Sequence, residues 1–373
     1  MVDLIGQYEK IQSEIDQAVL DVVRSSQYIG GPQVNGFREE LENYLGVKHV
    51  IPCANGTDAL QIAMMALGLR PGDEVIAPSF TFVATAEVIA LLGLTPVLVD
   101  VDPETFNVDP DSIRKAITDK TKAIVPVHLF GQCADMDAIM DIAKEFDLFV
   151  IEDNAQAIGA QFTSKSTQQH MSGSMGHFGT TSFFPSKNLG CYGDGGALFT
   201  NDDELAKKAR SVANHGMTVR YYHDDVGVNS RLDAIQAAIL RIKLRNLDTY
   251  CDARRAAAAK YDAAFEDIDQ ITTPTRAENS THVFHQYTLR ISEGRDDLKA
   301  HLDGLGIPAM IYYPVPLHMQ KAYQDPRYTE GDFPTTEQLS KEVISLPMHT
   351  ELDDEQIDFI TAAVCNYFQK ENQ

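Results

Sequence analysis

Positive charge is scarce in this chain. Thirty-one Lys and Arg face 54 Asp and Glu, a formal net charge of -23. That balance argues against nucleic acid and against an anionic membrane surface as partners. A polyanionic substrate would need a local basic pocket, because the field of the whole molecule opposes it. Cysteine is also sparse, with five residues at 53, 133, 191, 251 and 365. The count is odd and no pair has metal-ligand spacing, so reduced thiols in the cytoplasm and no metal are expected. No apolar run reaches the length of a membrane span. The first ten residues lack the basic-then-apolar order of a secretion signal. Internal repeats and low-complexity linkers are missing too.

What is present is a large apolar content, 44% of 373 residues, enough for a large domain and a smaller one. Residues 8–26 carry apolar positions at helical spacing, and a second helix follows around 34–45. Strands and helices then alternate. Strands are expected at 49–53, 74–78, 95–101, 123–129 and 148–152, with helices at 57–67, 83–92, 111–117 and 136–146. This rhythm implies a mostly parallel sheet with helices on both faces, an α/β fold. A long helix at 230–245 leads into a C-terminal α+β part, with a helix at 254–265, a strand at 285–291, a helix at 298–305, the segment 308–313, and a last helix at 354–367. The expected boundaries are 1–248 for the N-terminal helices and large domain, and 249–373 for the small one.

In open α/β sheets ligands bind beyond the carboxyl ends of the strands. Asn55-Gly-Thr-Asp58, Pro78-Ser-Phe-Thr-Phe82, His128, Asp153 and Ser182 all fall there. Lys187 lies between Ser182-Phe-Phe-Pro-Ser and the glycine run Gly190-Cys-Tyr-Gly-Asp-Gly-Gly196. A lysine so placed can form a Schiff base with an aldehyde cofactor. The glycines allow unusual backbone angles and close approach to a bound ring. Taken alone, Lys187 reads first as a solvated loop lysine, as most lysines are. Asp153 ends an apolar strand, where an ionised carboxylate needs a cationic partner such as a protonated pyridine; a helix N-cap is the plainer alternative. Gln156 is placed to bond a ring phenolic oxygen. Gly56 and Thr57 open a helix whose free amides suit a phosphate, and Ser182 can add a hydroxyl. Phe82 can stack on a ring or simply fill the core. Cys191 and Tyr192 read as packing.

Gly56-Thr-Asp-Ala, Thr81-Phe-Val-Ala-Thr-Ala, Glu152-Asp-Asn-Ala-Gln-Ala and Ser182-Phe-Phe-Pro-Ser-Lys together resemble the DegT/DnrJ/EryC1/StrS sugar aminotransferases. The resemblance runs from Tyr28-Ile-Gly-Gly-Pro to Ser345-Leu-Pro-Met-His349. It implies the fold-type I, aspartate-aminotransferase-like architecture. The implied cofactor is pyridoxal 5'-phosphate, with pyridoxamine 5'-phosphate as the half-reaction form. It implies Lys187 as the Schiff-base lysine, Asp153 on the pyridine nitrogen, Gln156 on the phenolic oxygen and Phe82 on the ring. Gly56, Thr57 and Ser182 would hold the phosphate. A homodimer with shared active sites is implied, Val226-Gly-Val-Asn-Ser-Arg-Leu-Asp233 matching the loop that enters the neighbour's site. Asn229 would reach the phosphate there, though it also reads as a cap for the helix expected from Ser230.

Cys53-Ala-Asn-Gly-Thr-Asp, Phe130-Gly-Gln-Cys-Ala-Asp and Val226-Gly-Val-Asn-Ser-Arg look like the WbpE-type branch. Those enzymes aminate C3 of a UDP-linked 2-acetamido-3-oxo-glucuronate, from L-glutamate, for surface polysaccharide such as O-antigen. Arg231 offers a fork for the uronate in the neighbour's site; pairing with Asp233 is its plainer reading. Arg220 is a candidate near the diphosphate. Tyr312 and Tyr313 are expected near the sugar, where relatives carry His-Tyr-Pro. The alternatives are a dTDP-3-oxo-6-deoxyhexose, a UDP-4-oxo sugar and, remotely, a non-catalytic cofactor-binding regulator.

Overall fold

The structure, a computed structural model, describes residues 1–371. Two helices come first, α1 (Leu4–Ser25) and α2 (Gly31–Leu45). The Asp3 carboxylate caps α1 by accepting from the Gly6 amide at 2.8 Å. Then follow β1 (His49–Cys53), α3 (Gly56–Ala66), β2 (Glu74–Pro78), α4 (Ala84–Leu91), β3 (Thr95–Val99), α5 (Pro110–Ala116), β4 (Thr121–Ile124), α6 (Met136–Phe146) and β5 (Phe149–Asp153). A small hairpin, β6 (Gln161–Thr163) and β7 (Gln169–Met171), precedes β8 (Phe178–Ser182), β9 (Gly196–Thr200) and α7 (Asp203–Ala213). A second hairpin, β10 (Met217–Val219) and β11 (Tyr222–His223), leads to α8 (Ala234–Leu244) and α9 (Leu247–Phe265). The remainder is β12 (Ile271–Thr272), β13 (Tyr287–Ile291), α10 (Arg295–Gly304), α11 (Pro334–Glu342), β14 (Val343–Leu346) and α12 (Asp354–Glu371).

Seven strands form one sheet in the order β1-β9-β8-β5-β4-β2-β3. Only β9 runs against its neighbours. The carboxyl ends of the other six therefore share one edge, and the helical crossovers place helices on both faces. Side chains alternate between two cores, as the period of a strand requires. Ile76, Ile124 and Val150 pack with α2, α6 and α8. Val75, Ala123 and Ile151 pack with α3, α4 and α7. Among the described residues, no helix is long and apolar enough to cross a membrane.

A separate core forms around the antiparallel β12-β13-β14 sheet, where Tyr261, Tyr287, Leu298 and Val364 meet. The boundary expected at 248/249 falls in the first turn of α9. The segment 308–313 forms neither helix nor strand. It makes a single bridge, Met310 to Ser345, and Pro314 and Pro316 beyond it offer no amide to a ladder. Instead Ile311, Tyr312 and Tyr313 pack against Phe80, Val101 and Val127 of the large domain. The helix expected from residue 230 starts at Ala234. Ser230 is held out of it, its hydroxyl donating to Asp58 at 2.6 Å and accepting from the Ala54 amide at 3.0 Å.

Candidate active site

The shared edge of the sheet gathers residues that are far apart in sequence. At the start of α3, the side chain of Asn55 accepts from the Asp58 amide at 2.8 Å. The amides of Gly56 and Thr57 occupy the first helical positions, where no intrahelical acceptor exists. Ser182 closes the same corner from the end of β8. A Cβ on Gly56 would lie 2.7 Å from the Ser182 Cβ, so only glycine leaves that cradle open.

Lys187 follows within a tight turn, its own amide donating to the Phe184 carbonyl at 2.8 Å. The Phe183 carbonyl accepts from Cys191, and the Phe183 amide donates to Gly195, both at 2.8 Å. The glycines here were expected to supply unusual angles and room for a ring. None of Gly190, Gly193, Gly195 and Gly196 has a positive φ. They serve close packing of the protein on itself. A Cβ at Gly190 would meet the Pro185 carbonyl at 2.4 Å, and one at Gly196 the Asn55 backbone at 2.4 Å. Gly196 thus lets β9 pass against the start of α3. Surrounding protein pushes the Lys187 amine down to about 8, against the pull of Asp153.

Asp153 is buried at the end of β5. Its Oδ2 accepts from the Thr85 hydroxyl at 2.9 Å and its Oδ1 from the Ala155 amide at 3.2 Å. No helix follows, so it is not an N-cap. Burial pushes its carboxyl up, while those two bonds, Lys187 and His128 oppose the shift. Gln156 accepts from the Phe130 amide at 3.0 Å and donates from Nε2 to the Tyr313 hydroxyl at 3.3 Å. Phe82 is 55% exposed and so is not a core residue. Its ring centroid lies 6.4 Å from that of Tyr313, and Tyr312 is 5.8 Å from Tyr313.

Thr85 escaped the sequence reading because a threonine at the start of an apolar helix carries no functional signal of its own. The same holds for the pair beneath the site. His128 Nδ1 accepts from the Ala134 amide at 3.1 Å, so its Nε2 carries the proton toward Glu152 at 2.8 Å. Glu152 also accepts from the amides of Gly173, Met175 and Gly176. A buried carboxylate so surrounded is compensated, and it pins the loop that enters β8.

The remaining candidates are not drawn into this cluster. Asn229 and Arg231 are exposed and their side chains make no hydrogen bond or ion pair among the described residues. Asn229 does not cap α8, since Asp233 holds that position, and Arg231 does not pair with Asp233. Arg220 sits at the tip of the β10-β11 hairpin with its guanidinium 5.0 Å from the Tyr221 ring centroid.

The model of the DegT/DnrJ/EryC1/StrS aminotransferase family covers residues 9–365. A pleiotropic regulatory protein of Geobacillus stearothermophilus is 48% identical over 371 residues, spanning 99% of this chain and 98% of its own. The UDP-2-acetamido-2-deoxy-3-oxo-D-glucuronate aminotransferase of Pseudomonas aeruginosa is 48% identical over 365 residues, 98% of this chain and 99% of its own. The crystal structure of DesV from Streptomyces venezuelae, in complex with a ketimine intermediate, superposes with a TM-score of 0.94 at 40% identity, covering 98% of this chain and 97% of that one. The chain belongs to the DegT/DnrJ/EryC1/StrS aminotransferase family.

Proposed function

We propose that this pyridoxal-phosphate-dependent nucleotide-sugar aminotransferase moves the amino group of L-glutamate to the 3-oxo carbon of a UDP-linked 2-acetamido-3-oxo-glucuronate, a step toward a diamino uronic acid of surface polysaccharide. The observation that carries the reading is the facing of Lys187 and buried Asp153 at the carboxyl edge of the sheet, beside the Gly56–Ser182 cradle. The relative from Pseudomonas aeruginosa favours the uronate branch.

The residues fit the cofactor. Asp153 keeps acceptor capacity on a buried carboxylate that lacks a hydrogen-bonded cation, and a pyridinium nitrogen would satisfy it. Gly56, Thr57 and Ser182 would hold the phosphate, Gln156 the phenolic oxygen and Phe82 the ring face. When bound, pyridoxal phosphate supplies the electron sink that lets the Cα–H bond of an amino acid break. Lys187 is the general base and then the general acid. An amine held near 8 is neutral often enough at neutral pH to accept the α-proton of glutamate at Nζ, and basic enough to hold it for return. The Thr85 hydroxyl favours the ionised form of Asp153, opposing the upward push of burial.

Asn229 and Arg231 act in the neighbouring subunit's site of a homodimer, Asn229 on the phosphate and Arg231 on the uronate. Their exposed, unpartnered side chains support this, as do the exposed apolar residues Val219, Tyr221, Tyr222 and Val226 beside them. Tyr312 and Tyr313 form the sugar wall, and Arg220 meets the diphosphate. The test is to convert the enzyme to its amine form with L-glutamate and add UDP-2-acetamido-3-oxo-glucuronate, following return of the aldehyde-form absorbance. Rapid return supports the reading. Recovery only with a dTDP-3-oxo-6-deoxyhexose or a UDP-4-oxo sugar overturns the substrate, and no reaction with glutamate overturns the donor.

A further inference from the structure

The connection between α10 and α11, residues 305–333, is long for a segment with so little regular structure. It holds only two short 3-10 turns, at Leu317–Met319 and Lys321–Tyr323. A buried polar clamp fastens it to the large domain. The hydroxyl of Ser79 lies 2.8 Å from His318 Nδ1, and His318 Nε2 lies 3.1 Å from Glu337 Oε1. All three side chains are buried. A carboxylate only accepts, so His318 Nε2 donates to Glu337, and in the neutral ring Nδ1 takes the hydrogen bond from Ser79. The Gly331 amide donates to the same Glu337 oxygen at 2.7 Å. The Leu317 amide donates to the Ser79 carbonyl at 3.1 Å, so backbone and side chain fix one register.

What the clamp joins is specific. Ser79 follows the last residue of β2 and stands three residues before Phe82. His318 stands five residues after Tyr313. A single imidazole therefore ties the strand end carrying Phe82 to the segment carrying Tyr312 and Tyr313. Phe82 and Tyr313 meet there in a tilted aromatic contact, with ring centroids 6.4 Å apart, so the two segments present one continuous wall. Without the ring, Ser79 and Glu337 lose a buried partner, and the segment can shift relative to Phe82. L-Glutamate is small enough to enter whether or not the two segments are fixed. A nucleotide sugar is far larger and must lie along the wall they form.

We infer that His318 is a positioning residue for the sugar acceptor: it holds the Tyr312–Tyr313 segment in register against the strand end that carries Phe82. This rests on the reading above that the two tyrosines meet the sugar.

The two half-reactions separate the inference from a general structural role, because each is followed by the absorbance of the bound cofactor. His318→Phe keeps the aromatic packing on Phe333, whose ring lies 4.7 Å away, and removes both hydrogen bonds. The expected result is a rise of about tenfold or more in KM for the nucleotide sugar. The glutamate half-reaction and the bound cofactor content change much less, by about twofold at most. His318→Gln, whose amide can accept from Ser79 and donate to Glu337, restores most of the acceptor affinity. An equal loss in both half-reactions, or no change in either, overturns the inference. If His318→Phe does not fold, Glu337→Gln carries the test with the same split expected, and a uniform loss there overturns it as well. If the wild-type enzyme rejects UDP-2-acetamido-3-oxo-glucuronate, the substrate reading fails by itself, and the split is measured with the nucleotide sugar the enzyme does accept.

Discussion

The hydroxyl of Thr85 donates to Oδ2 of Asp153 at 2.9 Å, inside the protein and at the carboxyl edge of the sheet. A hydrogen bond to a charged group contributes about 1.5–3 kcal/mol, more than a neutral one. Thr85→Val keeps the shape and removes the donor. The Asp153 carboxyl then rises further, and the pyridine nitrogen loses part of its counter-charge. The glutamate half-reaction is expected to slow by about tenfold, measured in single turnover. An unchanged rate contradicts the role given to Asp153.

The amine of Lys187 is held near 8 by burial. A lysine is nucleophilic only when neutral, so a lowered value makes it reactive at lower pH than a surface lysine. In the apoenzyme, reductive methylation with formaldehyde and cyanoborohydride should label Lys187 with a half-maximal rate near pH 8, read by peptide mass spectrometry. Labelling that rises only near the ordinary lysine value argues against the buried setting.

The shared-site proposal has its own test. Lys187→Ala and Arg231→Ala should each remove nearly all turnover with the uronate substrate. Mixed subunits carrying one change each should regain up to about a quarter of wild-type activity. Half the dimers are then hybrid, and each hybrid has one site with both residues intact. No recovery on mixing places Arg231 in its own subunit's site or outside the site altogether.

Lys243 is 1% exposed, and its Nζ lies 4.5 Å from the Tyr192 ring centroid. Burial pushes its amine from 10.5 down to about 8. The unfolded chain therefore binds more protons than the folded one between those two values, and stability from this group rises with pH across that window. Below pH 8 the cost of burying the charge is fully present. Lys243→Met should stabilise the protein at pH 7 by about 1–3 kcal/mol, the lost cation–π contact offsetting part of the gain. It should also flatten the rise in stability between pH 8 and 10. Urea denaturation at pH 7 and 9.5 reads both, and a less stable variant refutes the account.

The large sheet was legible because its signals are local and strong. His49–Cys53, Glu74–Pro78 and Met136–Phe146 have the same bounds in sequence reading and structure. The first two are short apolar runs between breakers, and the third opens at Asp135, whose side chain accepts from the Ala138 amide at 3.2 Å. The hairpins β6-β7 and β10-β11 escaped notice because strands of two or three mostly polar residues have no periodicity to detect. The start of α8 was placed too early because nothing local reveals that Ser230 bonds to Asp58, 172 residues away.

By itself the sequence determined which residues stand at the ends of which strands. A parallel sheet with helical crossovers must bring those ends to one edge, so Gly56, Asp153 and Ser182 were bound to share it, with Lys187 in the turn just beyond Ser182. The tertiary structure decided how they are supported. Gln156 meets Tyr313 across 157 positions, and Ser79 meets His318 across 239. Such contacts depend on the packing of the 305–333 segment over the sheet, and long-range packing leaves no periodic trace in either partner's local sequence.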